Sequence, residues 1–554
     1  MKVIYKLILV LTVIAFVSCE DQLTELNVNP KGVDPETVQP NLMVASIISQ
    51  TADPYLKGNY EGNVAGVMNY VQKSGWGGGL NKYQWTGNAS WSGYYGNLRN
   101  AKHLYERAEE EGMEFQMGVA SVIRAFNFGY IADTWGDAPY TAALNAPNGE
   151  QEDLFPVFDS QEIIYKGIIE ELKAASQLLS KPAGSYVGID PAADLLYGGN
   201  PAKWRKMANS LMLRYYMRVS TKLPTYAKDG IEEIINSGAP IFESNDDDAT
   251  MGYIGSSSSD SWPATIEFDA SESNFNRIQL CAGFRDVLVE LNDPRIAVWF
   301  NKVRVPIKIS STVADDEIID GVRYLNPDYM AENDMVIYNK ETWPADVEAG
   351  KVIVDTMDYA GIPIASQTGQ GETWNLNPAP IQGGSNVHNS ALADMYKEAS
   401  GDMLQARMIS YAEVCFILAE AAQKGWSVGN QQTWYEKGVE ASINLWEAGD
   451  AAEYLAGTGV AYDGSLEQIM TQKWIANWTV AHESWCDWRR TGLPALTIGP
   501  KGEREAMPIR MEYDSNEIAR NGDNYKAALD NLVQTPYTAD DGPDSAWSKF
   551  WLLQ

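Results

Sequence analysis

A chain of 554 residues with 74 acidic and 42 basic side chains carries a formal net charge of −32. That balance excludes nucleic acid and adsorption to an anionic surface, because both need clustered lysine and arginine. Hydrophobic residues make up 45% of the chain, enough for a large core, and its 18 tryptophans and 29 tyrosines are rings that a core or a sugar platform can use.

Lys2 and Lys6 precede the apolar run Leu7 to Val17. The run is too short for the roughly 20 residues that a hydrocarbon core demands, so residues 1–18 read as a cleaved signal segment. Ser18 before Cys19 has the form of a lipoprotein processing site, which makes Cys19 the acylated first residue of the mature chain. Each buried methylene contributes about 0.8 kcal/mol, so more than one acyl chain gives stable attachment. Residues 19–40 hold Asn29-Pro30, Asp34-Pro35 and Gln39-Pro40 and read as an anchor and extended tether.

Asn41 to Val71 is expected to be helical, with Leu42, Ala45 and Ile48 at one spacing and Val64, Val67, Met68 and Val71 at another. From Lys73 to Trp91 the periodicity fails. That stretch is rich in glycine, asparagine and rings, and loops of this kind carry binding residues. Trp76 and Trp85 are its candidate ligand contacts, with Asn81 and Gln84 as hydrogen-bonding neighbours. Tyr94 to Glu111 is a second helix, closed by Gly112, and Val119, Val122, Ile123, Phe126 and Tyr130 stripe a third. The two form a helical hairpin. The third helix ends at Asp133-Thr134-Trp135-Gly136-Asp137, where Pro139 discourages a helical return. Asp133, Arg124 and Asp137 are read as partners that fix this corner.

Residues 241–382 differ in character. Short β-prone pieces, Val303 to Ile307, Met335 to Tyr338 and Val352 to Val354, alternate with polar, proline-bearing loops and form short hairpins at most. Trp262, Trp343 and Trp374 in these insertions are further candidate contacts, with Asn375 as a local polar partner. Asp246-Asp247-Asp248 lacks the glycine and distal glutamate of a twelve-residue calcium loop and reads as a solvated acidic turn. Helical spacing returns with Tyr411, Val414, Leu418 and Ala422, then Trp434, Gly438, Ala441 and Leu445 across a turn at Gly425 to Asn430. Trp474, Trp478, Trp485 and Trp488 lie on helical spacing beside Arg489 and Arg490 and are assigned to the core.

The corner Trp135-Gly136-Asp137-Ala138-Pro139-Tyr140, with Arg124 upstream, resembles the signature of the SusD/RagB family of outer-membrane nutrient-binding lipoproteins. Further matches follow in order: Phe155-Pro156 to Tyr165, Gly199 to Trp204 with Ala208 to Arg214, Asp293-Pro294-Arg295, Ala419-Glu420-Ala421-Ala422, and Gln472-Lys473-Trp474 with Trp485, Trp488-Arg489-Arg490 and Gly492-Leu493-Pro494. The resemblance implies a mainly α fold, a scaffold of tetratricopeptide-like helical hairpins with irregular loops and short β-hairpins inserted. No linker-like gap separates the matching segments, so residues 41–554 are expected to form one domain. It also implies a non-catalytic lipoprotein at the outer membrane, facing outward, that captures an oligosaccharide and delivers it to a SusC-like TonB-dependent transporter as a hinged lid. Glu20 and Asp21 look like the acidic export signal of surface lipoproteins.

Other chemistries lack their signals. There is no HExxH, CxxC or GxSxG, and Gly77-Gly78-Gly79 lacks the lysine and hydroxyl residue of a phosphate loop, so neither a metal nor a cofactor is expected. With Cys19 acylated, Cys281, Cys415 and Cys486 are an odd set and are read as buried thiols. Three rival readings stay open: capture of peptides, which would use backbone-pairing edges, a scaffold role in a transporter complex, and glycan cleavage. The last needs two carboxyl groups roughly 5–5.5 or 6.5–9.5 Å apart.

Overall fold

The computed structural model describes residues 38–85, 89–146, 151–366, 371–538 and 541–554. The signal segment, Cys19 and the tether up to residue 37 lie outside the described residues.

Helix α1 (Pro40–Tyr60) opens with proline in its first turn, where the missing N–H costs nothing. It stops at Glu61-Gly62, short of the expected Val71. A five-residue helix, Asn63–Val67, and strand β1 (Val71–Lys73) replace the rest. Helices α2 (Ser92–Glu110) and α3 (Glu114–Trp135) form the expected hairpin. Nearly all of α3 is buried, because α1, α2 and the next helix, α4 (Gln161–Leu178), pack around it.

The corner after α3 is fixed by hydrogen bonds. Gly136 takes φ +102°, and a Cβ there would stand 3.1 Å from Phe550, so only glycine fits without strain. Asp137 Oδ1 accepts the Gln161 amide at 2.9 Å and Asp159 Oδ2 accepts that of Thr141 at 2.7 Å. Asp133 accepts from the Tyr165 hydroxyl at 2.7 Å. Arg124 instead meets Glu171 at 3.4 Å, on the flank of the helix pair.

The longer of the remaining helices are α5 (Pro201–Arg218), α6 (Pro224–Asn236), α7 (Tyr411–Gln423), α8 (Gln431–Leu445), α9 (Leu466–Ala476) and α10 (Ala481–Thr491). Side chains cap four of them: Asn200, Ser410, Asn430 and Ser465 accept from first-turn amides of α5, α7, α8 and α9.

Charged residues lock the bundle from inside. Arg214 of α5 grips Glu413 of α7 at 2.7 and 2.6 Å and lies 3.3 Å from Glu483 of α10. Arg218 bridges Glu483 and Asp133, and Tyr55 of α1 donates to Glu483 at 3.0 Å. Burial by itself would raise Glu483, but Arg214 and Arg218 hold it well below the usual carboxylate range. Around this network the expected tryptophan core forms. Trp474, Trp478 and Trp485 are buried, Phe284 stacks on Trp299 at 5.8 Å, and the Arg489 guanidinium sits 3.7 Å from the Trp485 ring.

Strands are short and mostly pair across long sequence distances. Strand β2 (Ala249–Gly252) pairs with β9 (Gln405–Ile409), and β3 (Ile278–Leu280) with β1, both antiparallel. Strand β4 (Ile307–Ile309) runs parallel to β6 (Val322–Leu325), which forms a true hairpin with β5 (Asp316–Ile319). Strand β7 (Met335–Ile337) runs parallel to β8 (Val352–Val354). Backbone hydrogen bonds from Ala365 to Asn81 and from Gly383 to Ser74 set residues 73–85 beside residues 362–366 and 371–384.

Candidate binding face

Loop 73–85 contains a five-residue helix, Gly78–Lys82, closed by Tyr83 in the left-handed region at φ 61°. Asn81 staples it. Its Oδ1 accepts from the Lys73 amide at 2.8 Å, its Nδ2 donates to the Lys73 carbonyl at 2.7 Å, and its own carbonyl accepts from Ala365 at 2.9 Å. Asn81 is buried, so the side chain expected to meet a ligand holds the loop in shape. On the other side, Gly383 donates to the Ser74 carbonyl at 3.2 Å.

Trp76 stands out from this frame. It is 58% exposed, at φ 49°, with one edge of its ring over Gly383, where a Cβ would come within 3.0 Å of the indole. Ile381, 66% exposed, rises from the same neighbouring loop. Gln84 is also exposed, its side chain folded over Gly78. Burial lowers the Lys73 ammonium beneath the loop, while Glu61 at 3.7 Å works against that shift.

The other sequence-predicted rings are placed differently. Trp85 donates its indole N–H to the Gly79 carbonyl at 2.9 Å and meets Trp485 of α10 edge-on at 5.5 Å. Trp262 has no exposed surface, being wedged between Tyr60 at 5.0 Å and Tyr396 at 5.6 Å. Trp343 joins the same core. These three are corrections to the expectation of ligand contact: rings covered by distant segments offer no face to a sugar. Asn375, buried at φ 53°, spends its amide on the backbone of Asp355 and His388. Trp374 is buried too, but it lines a cleft of about 540 Å³ with Ser366, Thr373 and Lys501. Ser366 also lines a small separate crevice with Asn81 and Lys82 of the Trp76 loop. Sequence reasoning missed Ile381, Gly383, Ser366 and Lys501. The pair Gly383-Gly384 after an isolated isoleucine was the local signal for the first two.

A second cleft, of about 470 Å³, lies at the start of α2, lined by Tyr95, Arg99, Leu154 and Glu517 among others. Two clusters of cation-ligand type are already met by the protein's own cations, and the first, Asp246-Asp247-Asp248, is not the solvated turn expected, because Asp247 and Asp248 are buried. Lys206 reaches Asp247 at 2.9 Å and Lys203 the carbonyl of Asp246. Asp133, His482 and Cys486 converge, but Arg218 lies 3.0 Å from Asp133, and Arg489 donates to the Cys486 sulfur at 2.9 Å. Burial lowers His482 and pushes the Cys486 thiol up. Cys281 and Cys415 are buried as expected, with their thiols pushed up to about 12 by burial.

The family model described as "SusD-like_2: Starch-binding associating with outer membrane" matches residues 33–514. The chain belongs to the SusD-like family. Solved structures share its fold. A SusD homolog from Bacteroides fragilis NCTC 9343 is 22% identical, with 94% of this chain and 100% of that chain covered and a TM-score of 0.67. A chitin-binding SusD homolog from Flavobacterium johnsoniae is 20% identical, with 93% and 97% covered and a TM-score of 0.67. A SusD-like protein from Bacteroides thetaiotaomicron VPI-5482 is 20% identical, with 93% and 98% covered and a TM-score of 0.64. No curated protein matches the chain. In this SusD-like chain no described helix is long and apolar enough to cross a membrane, and the family description places its members with the outer membrane.

Proposed function

We propose that this SusD-like protein captures a glycan on the face built by residues 73–85, 362–366 and 371–384 and delivers it to a SusC-like TonB-dependent transporter. The observation that carries this reading is Trp76, a large ring held out from a glycine bed instead of being packed. Sugar rings present flat faces of C–H groups. An indole face stacks on them, while neighbouring side chains such as Gln84 take hydroxyls. Ile381 widens the apolar platform. A lipid on Cys19 and the tether to Pro40 hold the single domain of residues 41–554 at the outer face of the membrane. The chain then acts as a lid over the transporter, which supplies the energy of import. A family described as starch-binding and a chitin-binding relative support a glycan as the ligand class.

The test is electrophoresis of the full chain in mild detergent through gels containing a panel of polysaccharides, beside an assay for released reducing ends. Retardation without release is expected. Release would establish cleavage and overturn the non-catalytic reading. Passage unretarded through every gel would turn the account toward peptide capture or a scaffold role.

A further inference from the structure

The cleft lined by Trp374 and Lys501 has unmet polar side-chain atoms among its lining residues. Trp374 and Ser366 line it and are 4% and 7% exposed, yet Trp374 Nε1 and Ser366 Oγ are buried with no partner. An indole N–H can only donate, and a buried donor without an acceptor costs free energy that an incoming acceptor restores. Lys501 stands on the wall. Its backbone amide is tied to Ala365 at 2.8 Å, and its ammonium takes part in none of the ion pairs or side-chain hydrogen bonds among the described residues. The cleft's other cation, Lys351, is engaged by Asp334 at 2.6 Å. Glu348, the acid on the lining, is exposed at the rim, and Asn375 is committed to backbone.

What the cleft leaves unsatisfied in its interior is therefore the donor-only Trp374 N–H, the Ser366 hydroxyl, which can donate to an acceptor, and one positive charge. A sugar hydroxyl brings a donor along with its acceptor sites. A carboxylate or sulfate brings acceptors alone and makes charge-assisted hydrogen bonds, about twice as strong as neutral ones. On a chain of net charge −32 an anionic ligand is repelled at most of the surface, so such a group needs a local cation.

We propose that this cleft takes an acidic sugar unit, whose carboxylate or sulfate lies against Lys501, Trp374 and Ser366, and that the glycan caught at Trp76 is accordingly an anionic one. This inference rests on the glycan-capture reading above. It is tested by titration calorimetry on the full chain in detergent, with two ligand pairs: oligogalacturonate against its carboxyl-reduced counterpart, and a sulfated galactan oligosaccharide against its desulfated counterpart. One acidic ligand is expected to bind about 10-fold more tightly than its neutral partner. The pair showing the difference tells carboxylate from sulfate. The advantage should vanish in Lys501→Gln, persist in Lys501→Arg, weaken in Trp374→Phe and shrink at high salt. Equal affinity within both pairs, or an advantage that survives Lys501→Gln, overturns the acidic-sugar assignment. If neutral ligands still bind in a Trp76-dependent way, glycan capture itself stands. Failure of all four ligands to bind overturns the acidic-sugar assignment, and glycan capture is then decided by the polysaccharide panel.

Discussion

Replacing Trp76 with alanine removes the platform and leaves the loop's frame, because Asn81, Trp85 and Gly383 hold the backbone without the indole. The side chain is 58% exposed, and a tryptophan buries up to about 250 Å², so about 140 Å² of it is open to a ligand. A sugar stacked on one face covers about half of that, which at about 25 cal/mol/Å² is worth about 1.8 kcal/mol, or about 20-fold in Kd. Calorimetric titration of wild type and Trp76→Ala with the polysaccharide that retards migration reads this directly. The variant should keep its melting temperature, since an exposed ring adds little to the core. An unchanged Kd with an intact fold would refute the platform.

Gly383→Val forces a side chain into the left-handed region at φ +71° and against the Trp76 ring. It should weaken binding by more than its modest effect on melting, and unaltered titration curves would count against the glycine bed. Arg214→Met leaves Glu413 buried without its cation and Glu483 with Arg218 alone. It should cost about 3–5 kcal/mol, read as a lower denaturant midpoint, and a midpoint like wild type would remove the network from the account of stability. Asp248 is buried and its carboxyl is raised to about 7, burial being the main cause. The folded state then holds a proton that the unfolded state has released between about pH 4 and pH 7. Stability relative to Asp248→Asn should therefore fall as pH rises through that window, by at most about 1.4 kcal/mol per unit, and level off above it. A flat difference between the two denaturation profiles would contradict this.

The helices were legible because their information is local. Apolar spacing marks the buried stripe of α2 and α3, while the capping residues Asn200, Ser410, Asn430 and Ser465 are local signals that emerge only with the structure. The break in α1 at Glu61-Gly62 was overlooked because apolar spacing resumes at Val64, although Gly62 was there to end the helix. At the site, local sequence separates a ring in a loop from a ring on a helix, but not an exposed ring from a covered one. Trp76 and Trp85 have similar flanks. They differ because Trp485, 400 residues later, lies on Trp85, whereas Trp76 meets the bare backbone of Gly383 and stays exposed. Trp262 disappears between Tyr60 and Tyr396 for the same reason. Lys501 had no signal, since its place on the cleft comes from a loop that docks through the Ala365 carbonyl.

The most direct test is an experimental structure of the full chain with an oligosaccharide from the polysaccharide that retards it. The account predicts a sugar ring stacked on the exposed face of Trp76, with the ligand running toward the cleft over Trp374. A sugar seated instead in the cleft of Tyr95, Arg99 and Glu517, with Trp76 bare, would contradict it.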